Sequence, residues 1–126
     1  MPNSTYKILM IDDEPDACLL FKKIVGRWNY KIVTATDAKN GLRLYQKEKP
    51  DLVFLDIIMP GTDGLNLLKK INKLNPKQLV IIITGFGDLR SAKTAMKLGA
   101  YDYVSKPLDM KALKNSINDA LTELRA

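Results

Sequence analysis

Histidine is absent from all 126 residues, and cysteine occurs once. Without an imidazole the chain can build no Ser-His-Asp triad and no His-ligated metal site, so any histidine chemistry must come from a partner. The single thiol, Cys18, cannot close an internal disulfide, and the lack of a second Cys argues against zinc. It lies inside an amphipathic helical pattern, where a buried structural thiol is expected. No apolar run approaches the roughly 20 residues that span a bilayer. The segment Met1–Tyr6 lacks the basic stretch and apolar core of a signal peptide. The chain therefore reads as cytoplasmic, with no membrane contact. Linkers, low-complexity segments and tandem repeats are missing too. That leaves a single domain over residues 1–126, with a core from about residue 6 to residue 124.

What is present is the composition of a globular protein, 46% hydrophobic and 27% charged. The net charge of +6 is uneven: residues 1–63 hold nine Lys/Arg against nine Asp/Glu, and residues 64–126 hold eleven against five. A basic surface attracts nucleic acid, anionic small molecules or acidic proteins. With no recognition-helix or base-stacking motif, direct nucleic-acid binding is not expected.

The chain is organised around Leu52-Val53-Phe54-Leu55-Asp56, an apolar run bounded by Pro50-Asp51 and by a Pro/Gly-rich turn, Pro60-Gly61-Thr62-Asp63-Gly64. Such a run predicts a strand buried on both faces, with Asp56 at its carboxyl end. Gly61 and Gly64 permit positive φ in the turn. Upstream, Lys7–Ile11 predicts another strand, ending at Asp12-Asp13-Glu14-Pro15. The following helix carries Ala17, Leu20, Phe21, Ile24, Val25 and Trp28 on its apolar face. Tyr30–Ala35 predicts a strand, and Asp37 caps a helix reaching about Lys47, with Ala38, Leu42 and Tyr45 inward.

After Asp56, a helix marked by Leu65, Leu68, Ile71 and Leu74 closes at Asn75-Pro76. Strand Leu79–Thr84 follows, then a helix from about Leu89 to Leu98 with Ala92, Ala95 and Met96 on its apolar side, stopped by Gly99. Strand Tyr101–Ser105 ends at Lys106-Pro107. The last helix, from about Met110 to Leu124, buries Met110, Leu113, Ile117, Leu121 and Leu124. Strand and helix alternate five times, which predicts an α/β fold with a parallel sheet covered by helices on both faces.

Polar residues fall at four strand ends: Asp12 and Asp13, Asp56, Thr84, and Lys106. Taken singly, Asp12-Asp13 fits a helix cap, Thr84 a strand terminus, Lys106 a solvated lysine and Tyr103 a half-buried aromatic. Glu14 reads as a helix N-terminal charge. Together they converge on the edge of a parallel sheet where ligands bind. Clustered carboxylates repel unless a cation neutralises them, and a hard oxygen-preferring ion such as Mg²⁺ suits the donor set. A carboxylate with a divalent cation, a lysine and a hydroxyl around it is what an aspartyl-phosphate site needs.

The set Asp12-Asp13, Asp56 in Leu-Asp-Ile-Ile-Met-Pro-Gly-Thr-Asp-Gly, Thr84-Gly85 and Lys106-Pro107 resembles the receiver domain of two-component response regulators, the CheY-like family. The stretch from Thr84 to Pro107 is similar to receivers attached to enhancer-binding, NtrC-type transcription activators. This resemblance implies a flavodoxin-like (βα)5 three-layer sandwich, with a five-stranded parallel sheet of order 2-1-3-4-5. It also implies Mg²⁺-dependent phosphorylation of Asp56 by a partner histidine kinase or phosphotransfer protein. By the same resemblance, Asp13, Asp56 and the Ile58 backbone carbonyl hold Mg²⁺, and Asp12 acts through water. Lys106 pairs with the phosphoryl group, Thr84 hydrogen-bonds it, Tyr103 is the aromatic switch, and the Lys106-Pro107 bond is cis. Such a domain is no enzyme beyond catalysing its own phosphorylation and dephosphorylation.

Two apolar residues, Ile58 and Phe86, stand where family members often carry polar side chains, and they are expected to hinder hydrolytic water and lengthen the phosphoryl state. A Mg²⁺-dependent phosphatase is the competing enzyme reading; Ile58 counts against it, because such enzymes place an acidic residue two positions after the nucleophile. An unphosphorylated pseudo-receiver is the third reading. Arg90, Lys93 and Lys97 on the fourth helix, with Lys111 and Lys114 on the fifth, are expected to face an acidic effector, an output domain or a second copy of the chain.

Overall fold

The computed structural model describes residues 6–59, 62–85 and 88–125, and the side chains of all of these except Thr62, Asp63 and Arg125. Pro60, Gly61 and Phe86, for which the sequence sets expectations, lie outside the described residues.

The apolar runs form strands β1 (Lys7–Ile11), β2 (Lys31–Ala35), β3 (Leu52–Asp56), β6 (Leu79–Thr84) and β7 (Asp102–Ser105). Between them lie α1 (Pro15–Gly26), α2 (Ala38–Glu48), α3 (Gly64–Leu74), α4 (Leu89–Lys97) and α5 (Met110–Arg125). A two-stranded antiparallel hairpin, β4 (Ile58–Met59) with β5 (Thr62–Asp63), follows the Asp56 strand and has no counterpart among the sequence expectations. The central sheet is parallel throughout and ordered β2-β1-β3-β6-β7. Counting only its own strands, that is the expected 2-1-3-4-5.

Alternate side chains of each strand enter opposite layers. Ile8, Met10, Phe54, Ile81 and Ile83 pack with Phe21 and Val25 of α1 and with Leu113 and Ile117 of α5. Leu9, Ile11, Val53, Leu55 and Ile82 pack with Tyr45 of α2, Leu68 and Ile71 of α3, and Ala95 of α4. Both faces of β3 are thus buried, which is why its sequence shows no alternation.

Four residues assigned to apolar faces stand in solvent instead: Leu20, Met96, Met110 and Leu124. In α1 the buried positions are Cys18, Phe21 and Val25, a seam one helix face wide. Leu20 sits about 100° around the helix from Phe21 and misses it. Met96 is one residue past Ala95 in the same way. Met110 and Leu124 lie at the two ends of α5, outside the Leu113-Ile117-Leu121 seam.

Two glycines hold the frame for geometric reasons. Gly99 ends α4 at φ +106°, a region other residues avoid. Gly64 is not at positive φ, contrary to the sequence expectation; it opens α3. A Cβ there would meet the Ile57 backbone, 2.7 Å from its carbonyl oxygen, so only glycine lets α3 close onto the residue that follows Asp56.

Asp37 caps α2 as expected, its Oδ1 accepting from the Asn40 N–H at 2.7 Å and its Oδ2 from Asn40 Nδ2 at 2.9 Å. These bonds, the backbone one foremost, hold its carboxyl below the usual range. Because the folded-state pKa lies below the unfolded one, this stabilisation is complete above the ordinary carboxylate range and is lost as pH falls through the folded value. Asp37→Ala is expected to lower the melting temperature at neutral pH and to converge with wild type in acid. A constant gap across the titration would overturn the assignment.

Candidate functional site

Strands β1 and β3 are neighbours, so the residues at their carboxyl ends meet. Asp12 follows β1 and is fully buried. Its backbone N–H donates to the Ala35 carbonyl at 3.1 Å, and its Oδ1 accepts from the Glu14 N–H at 3.0 Å. Asp56, the last residue of β3, is 4% exposed. Its Oδ1 accepts from the Ile58 N–H and its Oδ2 from Lys106 Nζ, each at 2.9 Å. Asp13 is half-buried beside them, and one carboxylate oxygen from each of Asp12, Asp13 and Asp56 lies within 4.8 Å of the others.

Lys106, just beyond β7, enters from the far side. Its ammonium lies 2.9 Å from Asp56 Oδ2, 3.2 Å from Asp12 Oδ2 and 3.4 Å from Glu14 Oε1. The Asp12 contact is an ion pair without hydrogen-bond alignment, so Asp12 Oδ2 is buried with no hydrogen-bond partner. Glu14, read from sequence only as a helix-end charge, is therefore an outer member of the cluster. The run Asp12-Asp13-Glu14 carried that signal.

Burial pushes the Asp56 carboxyl up, and the Asp12 charge adds to this; the Lys106 and Ile58 hydrogen bonds work against it without cancelling it. Asp13 is raised as well, by burial and then by Asp12. Burial opposes the Lys106 charge, but its hydrogen bond to Asp56 and the attraction of Asp56 and Asp12 outweigh that and raise its pKa. One ammonium contacts three carboxylates and Asp13 adds a fourth beside them, so negative charge is in excess. The buried Cys18 thiol, pushed up to about 11 by burial and by Asp12, donates to the Asp12 and Ala35 carbonyls and is structural, as expected. An oxygen-only donor set, one orphaned carboxylate oxygen and uncompensated negative charge fit a hard divalent cation such as Mg²⁺.

Thr84, at the end of β6, is buried, and its hydroxyl donates to the Val104 carbonyl of β7 at 3.3 Å. Its own carbonyl accepts from the Lys106 N–H at 2.9 Å. Tyr103 stands on the outer side of β7, 38% exposed. The Lys106-Pro107 bond is cis. The Ile58 side chain is 53% exposed next to Asp56.

Arg90, Lys93 and Lys97 are exposed along α4 and line one shallow groove with Leu89 and Thr94. Lys111 is exposed on α5. Lys114 is drawn elsewhere, its Nζ 5.6 Å from the Trp28 ring centre in a cation–π contact with the turn after α1.

Residues 8–118 match the family described as the response regulator receiver domain. The chain is 35% identical over 123 residues to the transcriptional regulatory protein GlrR of Escherichia coli K12, covering 98% of this chain and 28% of that protein. It is 38% identical over 122 residues to the nitrogen assimilation regulatory protein NtrX of Azorhizobium caulinodans, covering 95% and 27%. The chain thus spans little more than a quarter of the curated relatives it matches. Among solved structures, a response regulator receiver domain protein from Clostridium thermocellum superposes with a TM-score of 0.90 at 36% identity, covering 95% of this chain and 97% of that one. The receiver domain of NtrX from Brucella abortus gives 0.87 at 38% identity, covering 91% and 98%. With its fold, its acidic edge and its relatives in agreement, the chain belongs to the response regulator receiver domain family, whose members are signalling domains and not classical enzymes.

Proposed function

We propose that this chain, as one domain over residues 1–126, is a phosphorylation-controlled switch whose acceptor is Asp56. The observation that carries the reading is the Asp56 carboxylate, buried yet held at 2.9 Å by the Lys106 ammonium at the edge of the acidic cluster. An Asp56 oxygen attacks the phosphorus of a phosphohistidine on a partner kinase or phosphotransfer protein. A P–O bond forms, the P–N bond breaks, and the imidazole leaves with its electron pair. Asp13, Asp56 and the Ile58 carbonyl would hold Mg²⁺, with Asp12 acting through water, and the ion would supply positive charge to the phosphoryl oxygens.

Lys106 moves its ammonium from the Asp56 carboxylate to the phosphoryl group. Thr84 exchanges its bond to the Val104 carbonyl for one to the phosphoryl oxygens. Tyr103, on the strand whose backbone Thr84 grips, then turns inward. The population shifts to a form with a changed surface at Arg90, Lys93, Lys97 and Lys111, where an effector, an output domain or a second copy docks. Lys114, held at Trp28, contributes less. Nucleic acid and membrane are not partners of this domain, and its place is the cytoplasm.

Intact mass after incubation with Mg²⁺ and acetyl phosphate is expected to rise by one phosphoryl group, about 80 Da, in wild type and not in Asp56→Ala. In the same assay Ile58→Asn is expected to shorten the phosphoryl lifetime, since the apolar side chain hinders water. A Mg²⁺-independent gain, or one that persists in Asp56→Ala, would remove the reading.

Because Asp12, Asp13 and Asp56 repel one another, Asp13→Asn is expected to melt higher than wild type in a chelator. Added Mg²⁺ is expected to stabilise wild type by RT ln(1 + [L]/Kd) and the variant much less. Equal Mg²⁺ responses would take Asp13 out of the cation site.

Lys93→Glu with Lys97→Glu is expected to weaken phosphorylation-dependent self-association, or binding of an acidic effector, by about tenfold or more. Unchanged sedimentation and effector affinity of the phosphorylated variant would show the α4 face to be merely solvated.

A further inference from the structure

A groove of about 770 Å³ opens between α2 and α3, and its lining includes none of Asp12, Asp13, Asp56 or Lys106. Lys39 and Arg43 lie one turn apart along its α2 wall, Lys70 stands on the α3 wall, and Leu42 and Leu67 line it between them. Lys47, Lys69 and Lys73 are exposed nearby on the same two helices. No acidic residue occurs in α3, and the one in α2, Glu48, is paired with Lys7 at 2.9 Å. Asp37 is the one anion in the lining, against three cations, and both its oxygens accept from Asn40. None of Lys39, Arg43 or Lys70 forms an ion pair with a described residue.

A concave site with apolar residues among unpaired cations matches one kind of ligand better than others. Nucleic acid tracks a long line of phosphates and stacks its bases on aromatic rings. This groove is short and its lining includes no aromatic residue. A bare phosphate makes no use of Leu42 and Leu67. An amphipathic helix with an apolar stripe flanked by carboxylates satisfies both features, since helices lay apolar anchors into such grooves.

We propose that the α2–α3 groove is a docking site for an acidic amphipathic helix of a partner protein, separate from the α4 surface and independent of Asp56. The cations at Lys39, Arg43 and Lys70 select the acidic flanks, while Leu42 and Leu67 take the apolar stripe. Charge complementarity at the rim speeds association and fixes orientation.

The test is an amide chemical-shift titration of the whole chain at about 0.15 M salt, where exposed long-range attraction is screened. The probe is a synthetic helix with leucines at i, i+3, i+4 and i+7 and glutamates on its flanks. Amides of residues 38–46 and 66–70 are expected to shift together and saturate. Arg43→Glu with Lys70→Glu is expected to weaken binding about tenfold or more, and Arg43→Gln with Lys70→Gln to fall between that pair and wild type. Any of four results would overturn the proposal: shifts centred on α4, no loss in either double variant, equal affinity for a scrambled peptide of the same composition, or equal occupation of the groove by inorganic phosphate or duplex DNA.

Discussion

The ammonium of Lys106 against the carboxylates of Asp56 and Asp12 is the contact on which the site's arrangement depends. Sheet order puts β1 next to β3, so two buried carboxylates necessarily meet at the carboxyl edge. Burying such groups unpaired would cost several kcal/mol each, and their mutual repulsion would add to that. The compensating cation comes from β7, two strands away from β3, across β6. Its backbone is fixed there, because the Lys106 N–H donates to the Thr84 carbonyl at the end of β6. The lysine's reach to Asp56 and the position of Thr84 are thereby one geometric fact.

This pairing is no simple stability device. Breaking a buried ion pair is costly, yet apolar residues of similar volume often replace such pairs without loss. The cluster also stays under-neutralised, with Asp12 Oδ2 lacking a hydrogen bond and Asp13 and Asp56 both raised in pKa. Charge left uncompensated at a sheet edge favours whatever brings positive charge there. Removing the lysine from Asp56 would release a contact that reaches Thr84 through its carbonyl and Val104 through its hydroxyl. Local electrostatics and the β6–β7 connection are therefore linked by short bonds, with no long pathway required.

Much of this was legible in the residues. Apolar runs ending in Asp12, Asp56 and Thr84 located the strands and the edge, because a strand buried on both faces writes its length directly as hydrophobicity. Asp37 and Gly99 marked helix ends by side-chain chemistry and by φ, and both fall where the structure has them. The misses have a common cause in geometry that periodicity does not encode. Leu20 and Met96 sit a single step around a helix from the buried seam, and a hydrophobic count cannot tell a rim from a core. Gly64 looked like a turn residue, whereas its necessity comes from the Ile57 backbone, a tertiary contact. The β4–β5 hairpin is only two residues a side, too short for any periodic signal. Glu14 and Lys114 acquired their partners, Lys106 and Trp28, from folding alone.

Charge shows the same gap between line and space. Along the sequence, all of the positive excess falls in residues 64–126, which directs attention to α4 and α5. In the fold, α3 from that half lies against α2 from the other, and Lys70 joins Lys39 and Arg43 around one groove. The first half is neutral only in sum. Four of its nine acids, Asp12, Asp13, Glu14 and Asp56, gather at the sheet edge near Lys106, while Lys39 and Arg43 on α2 form no ion pair with a described residue. A neutral sum over residues 1–63 thus hides an acidic edge and a groove in which the cations Lys39, Arg43 and Lys70 outnumber the one anion, Asp37.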